Sequence, residues 1–147
     1  MTPSQPQSRA LRRRQQQGKV APRTPARMVL LVELLHTEPE VWRRISVDSS
    51  LPLPQLHLTL QIAMGWENAH LHSFETGDGN VVSEEKERRL TVGHILRQQG
   101  DEAFYLYDFG DSWMHLVTVE SVGELGDERP ARLLDGAGAC PPEDSGG

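Results

Sequence analysis

The chain has 147 residues, 37% apolar and 24% charged, enough for one buried core and too few for two comfortable domains. Its longest apolar stretch, Met28 to Leu35, is interrupted by Glu33 and falls far short of the roughly 20 residues that cross a bilayer, so a soluble protein without a membrane partner is expected. Charge divides the chain: residues 1–27 carry seven basic and no acidic residues (+7), while residues 28–147 carry the other eight basic and all 21 acidic ones (−13).

Residues 1–27 are rich in Pro, Gln, Arg and Ser and lack large apolar groups, so they are expected to form a disordered basic arm. They have no apolar stretch of the kind a secretory signal needs. Counterion release could draw residues 9–27 to nucleic acid, and a solubilising tail is the equal alternative. The single cysteine, Cys140, excludes an intrachain disulfide and fits a reducing compartment, so a cytoplasmic location is expected.

The run Met28 to Leu35 and the segment Val41 to Val47, separated by Glu38-Pro39-Glu40, read as paired strands. In the second, Val41, Arg43, Ile45 and Val47 share a face, so Arg43 needs a partner on an apolar side. Residues 53–64 fit two patterns. Leu56, Leu58, Leu60 and Ile62 alternate as in a strand, whereas Leu53, Leu56, Leu60, Ala63 and Met64 form a helical stripe; Pro54 at the start and Gly65 at the end favour helix. His57 beside that stripe is expected to be a hydrogen-bonded core histidine.

A strand is expected over Ala69 to Thr76, then a solvated excursion through the charged run Glu84 to Arg89. A small helix should start at Thr91 and end near Gly100, and two further strands, Ala103 to Asp108 and Trp113 to Val122, should flank a turn at Phe109-Gly110-Asp111-Ser112. Beyond Gly123 no regular element is expected. The sum is an α+β fold, a mostly antiparallel sheet of two hairpins plus a central strand, packed by two short helices, over residues 28–147.

His70 and His72, two apart on a strand, should project from one face, and Trp113 and His115 share a face beyond a turn bearing Asp108 and Asp111. If these strands are neighbours, His70, His72, Asp111 and His115 supply enough donors for zinc or another divalent metal, with Asp108, Trp113 and Asp144 beside them. The alternative is that these groups bond one another and the turn backbone. Three familiar motifs lack their partners. Asp108-Phe109-Gly110 has no kinase loops around it, Asp144-Ser145-Gly146-Gly147 has no protease barrels, and Cys140 has no flanking group that would activate a thiol.

The segments Val41-Trp42-Arg43-Arg44, Leu56-His57, Gly65-Trp66, His70-Leu71-His72-Ser73-Phe74, Tyr107 to His115 and Cys140 to Gly147 resemble the plasmid Ri ORF-three-like family, also described as insertion-element passenger (TnpR-like) proteins. The resemblance covers about residues 28–147. It implies an α+β domain of bacterial plasmids and mobile elements with no established activity. Members usually continue past the Pro-Pro-Glu-Asp segment, so a shortened copy is expected here. The functional expectation is an uncharacterised, non-enzymatic binding module for an unknown ligand or protein partner. Its alternatives are a metal-dependent enzyme built on the His/Asp cluster and a DNA-touching accessory of a mobile element acting through the arm.

Overall fold

The computed structural model describes residues 24–146. Residues 9–23, and any nucleic-acid contact made through them, lie outside the described residues. Arg27 is different. It opens strand β1 (Arg27–Leu34), its guanidinium donates to the carbonyls of Glu128 and Arg129, and Ala26 N donates to Ser49 Oγ. Ala26 and Arg27, assigned to the arm from sequence, thus make contacts with the sheet domain.

Alternation decides which face of the sheet is buried. Met28, Leu30, Val32 and Leu34 of β1 are buried, as are Val41, Ile45 and Val47 of β2 (Val41–Asp48) and Ala103, Tyr105 and Tyr107 of β5 (Glu102–Tyr107). Together with β3 (His72–Thr76), β4 (Val81–Val82), β6 (Trp113–Gly123) and β7 (Ala131–Ala137) they form one seven-stranded antiparallel sheet in the order β4-β3-β5-β6-β1-β2-β7.

Helix α1 (Leu53–Met64) buries Leu53, Leu56, Leu60 and Met64 in the same core and leaves Leu58 and Ile62 exposed, so the helical stripe wins over the alternating one. Gly65, at φ 86°, ends it, with the N–H groups of Gly65 and Trp66 both donating to the Gln61 carbonyl. Arg43, which shares the apolar face of β2, donates through Nε to the Ala63 carbonyl at the end of α1 and through Nη1 to those of Trp42 and Ala137. A guanidinium on that face is satisfied by the unpaired carbonyl of a helix end.

Four expectations change. The strand expected from Ala69 begins only at His72, because Ala69 N donates to the Tyr107 hydroxyl instead of to a strand. The charged run is not all solvated: α2 (Glu84–Glu87), capped by Ser83 Oγ, turns Glu87 inward to His72. The next helix, α3 (Val92–Ile95), is a single turn that stops at Leu96 and not near Gly100. It brings the helices to three among the described residues. Finally, β7 forms where no element was expected. Its residues are nearly all exposed and show no alternation, and backbone pairing with β2 at the sheet edge holds it. Gly138 lets this edge strand leave closely: at φ 84°, a Cβ there would meet the Glu40 carbonyl at 2.3 Å.

No described helix is long and apolar enough to cross a membrane.

Candidate functional site

The register of β3 against β5 sets the site. His72 faces Tyr107, so Leu71 comes opposite Asp108, whose N–H donates to the Leu71 carbonyl at 2.8 Å. His70 then lies just beyond the strand end, beside the β5–β6 turn. Asp108 adopts φ 63°, tolerable for Asp, and its Oδ1 accepts from the N–H groups of Gly110 and Asp111. Its other oxygen, Oδ2, lies 3.5 Å from His70 Nε2.

The segment after Cys140 closes over this end of the sheet. Glu143 accepts from the Glu67 N–H and from the Tyr107 hydroxyl, and Asp111 Oδ2 accepts from the Gly146 N–H. These contacts set Glu143 Oε1 at 3.6 Å and Asp144 Oδ1 at 2.8 Å from His70 Nε2. Three carboxylates therefore surround one imidazole nitrogen. That nitrogen is excluded from solvent and has no hydrogen bond of acceptable geometry, although Asp144 is within reach. One ligand atom each from His70, Asp108 and Asp144 fall within 4.8 Å of one another.

The four residues singled out as joint metal ligands are divided among separate environments. His70 belongs to the carboxylate cluster. His72 points elsewhere: its Nε2 donates to Glu87 at 3.0 Å and its ring stacks on His57 at 3.5 Å. His70 lies outside the regular strand, which removes the same-face relation that spacing of two would impose. His115 is wholly buried. It donates from Nδ1 to the Tyr105 carbonyl and accepts at Nε2 from the Trp66 indole. Asp111 holds the closing segment through Gly146. Of the neighbouring residues, Asp108 and Asp144 join His70, while Trp113 is buried and stacked on Trp66 behind the cluster, its Nε1 without a partner among the described residues.

Electrostatics separate these environments further. Burial pushes the His115 imidazole down to about 4, so it is neutral, in keeping with its accepting a hydrogen bond from the Trp66 indole N–H. His57 is lowered as well, first by burial and then by His72. It is the hydrogen-bonded core histidine that its place beside the stripe suggests. Gln61 Nε2 donates to the Tyr105 oxygen, Tyr105 donates to His57 Nδ1, His57 Nε2 donates to Asn68 Oδ1, and Asn68 N returns to Gln61 Oε1. Every group in that ring is satisfied. The Cys140 thiol is pushed up to about 11 by burial, so the free group stays protonated at neutral pH.

Sequence reasoning passed over Glu143, Glu87 and Tyr107. The signal for Glu143 was available, since it sits in the Pro-Pro-Glu-Asp segment next to Asp144; what was missing was the fold-back that sets the segment against His70.

The molecule is thus an α+β domain with an antiparallel sheet, one end of which carries a cluster of acidic side chains around a histidine. It belongs to the plasmid pRiA4b ORF-3-like protein family, whose model matches residues 26–147. It is similar to the uncharacterised protein y4hQ of Sinorhizobium fredii, 41% identical over 132 residues that cover 80% of this chain and 66% of that protein. The chain thus spans just under two thirds of that relative's length. A crystal structure of a protein of unknown function from Methanosarcina mazei Go1 shares the fold, with a TM-score of 0.74 and 29% identity over 84% of this chain and 76% of the other.

Proposed function

We propose that this domain is a non-enzymatic binding module whose site is the pocket around His70 and whose ligand is a cation. One observation carries the reading: carboxylates of Asp144, Asp108 and Glu143 lie 2.8, 3.5 and 3.6 Å from a single imidazole nitrogen. Three negative charges against at most one positive charge favour a bound cation, because like charges held this closely repel unless neutralised. The binding role is supported by how the other described core histidines are engaged. His57 and His115 have both ring nitrogens hydrogen-bonded within the fold, so neither of these two is poised as a general base.

The test is stabilisation by ligand. Millimolar divalent chlorides or arginine amide, added at constant ionic strength, should raise the melting temperature of the wild-type protein. The rise should be lost in the Asp108→Asn/Asp144→Asn double variant. A wild-type protein that responds to neither additive refutes the reading.

A further inference from the structure

Resting on the cation-binding reading, the geometry points to a specific ligand class for the pocket: a single divalent first-row metal ion, such as Zn²⁺ or Mn²⁺, held by His70 Nε2, Asp108 Oδ2 and Asp144 Oδ1, with Glu143 beside them. The argument begins with spacing. Metal–ligand bonds of about 2.1 Å put adjacent donor atoms about 3.0 Å apart around an octahedral ion and about 3.4 Å apart around a tetrahedral one. The three separations from His70 Nε2 run from 2.8 to 3.6 Å and bracket both values.

A proton on Nε2 would account for the cluster less well. An N–H is directional and serves one acceptor well. Here three acceptors crowd the nitrogen and none has hydrogen-bonding geometry, yet the nitrogen is excluded from solvent. Leaving such an atom unpaired costs free energy, and coordination to a metal would remove that cost. A lone pair directed at a metal centre has no need of the N–H axis.

The surrounding residues already resemble a coordination shell with its supports. Two backbone N–H groups hold Oδ1 of Asp108 and leave Oδ2 facing the pocket. The Tyr107 hydroxyl and the Glu67 N–H orient Glu143, as outer partners orient metal-binding carboxylates. The donor set selects the ion. An imidazole among carboxylates suits zinc and manganese better than magnesium or calcium, which favour all-oxygen shells. Asp144 is carried by the closing segment, and His70 and Asp108 by residues adjoining β3 and β5, so the ion would also join that segment to this end of the sheet.

The experiment is a titration of the chelator-treated full chain with Mn²⁺, followed by the electron paramagnetic resonance signal of the free ion, and with Zn²⁺ by calorimetry. We expect one equivalent bound, with Mg²⁺ and Ca²⁺ competing at least tenfold more weakly. Binding should weaken at least tenfold in His70→Gln and in Asp144→Asn and be unchanged in His72→Gln. Asp108→Asn provides a variant that should stay folded, because an amide oxygen can still accept the two turn N–H groups; it too should lose at least tenfold. If the protein is folded by circular dichroism but takes up neither ion, or if binding survives all three cluster variants, the metal assignment is overturned. In that case stabilisation by arginine amide would leave the cation-binding reading standing, and failure of both probes would remove the two together.

Discussion

His115 and His70 lie at one end of the same sheet and behave as opposites. His115 is wholly buried among Trp66, Tyr105 and the β5–β6 pairing, has one donor and one acceptor, and is held neutral by its burial. His70, past the strand end, meets three carboxylates and no satisfied hydrogen bond at Nε2. The first arrangement serves stability, since each polar atom has its partner. The second leaves charge and a nitrogen unsatisfied within the chain, which is what a ligand site offers.

Substitution should separate the two most strongly. His115→Ala removes a buried ring and orphans the Trp66 indole N–H, and should cost about 3 kcal/mol in urea unfolding. His70→Ala in metal-free protein should cost less than about 1 kcal/mol, because no hydrogen bond at Nε2 is lost. Equal losses would erase the distinction.

Acid should show the same contrast to a similar degree. The unfolded imidazole of residue 115 titrates near 6.5 and the folded one near 4, so the unfolded chain takes up the proton first. This contribution is fully present above pH 6.5 and is lost as pH falls to 4, with a limit of roughly 3 kcal/mol at 1.36 kcal/mol per unit. His57, also lowered, acts in the same direction. Wild-type stability should therefore fall more steeply over this window than that of His115→Gln; parallel curves would falsify the neutral, buried assignment.

Smaller effects sharpen the boundary. Tyr105→Phe leaves Gln61 Nε2 and His57 Nδ1 without their shared hydroxyl, and should cost about 1–2 kcal/mol by urea titration without altering any cation response. Asp144→Asn, on an exposed side chain, should change metal-free stability by no more than about 0.5 kcal/mol while weakening the cation response. A large stability loss there would mean that the Asp144 carboxylate is a structural ion-pair partner of His70.

The legible and illegible parts of this molecule differ in the range of the interactions that set them. Strands β1, β2, β5 and β6 are short runs rich in apolar, β-branched and aromatic residues, and α1 has its stripe between Pro54 and Gly65, so a local pattern suffices to find them. Strand β7 has no such pattern, because an exposed edge strand buries almost no side chain and is specified by its partner's backbone. Glu87 reads as one more charge in a solvated run until α2 packs it against His72.

The same division runs through the candidate site. Residue types alone were enough to single out His70, Asp108 and Asp144 as bearing chemistry, and the turn preferences of Asp108 were visible in its neighbours. Their grouping was not. Spacing of two suggested that His70 and His72 act together, yet a strand that starts at His72 leaves His70 free to turn toward the Asp108 loop and the segment after Cys140. The sequence by itself determined the family, the sheet-forming pattern and the supply of imidazoles and carboxylates, because these depend on residue identity and short-range periodicity. Only the tertiary structure decided which imidazole meets which carboxylates, because that depends on strand register and on the fold-back of residues more than seventy positions away in the chain.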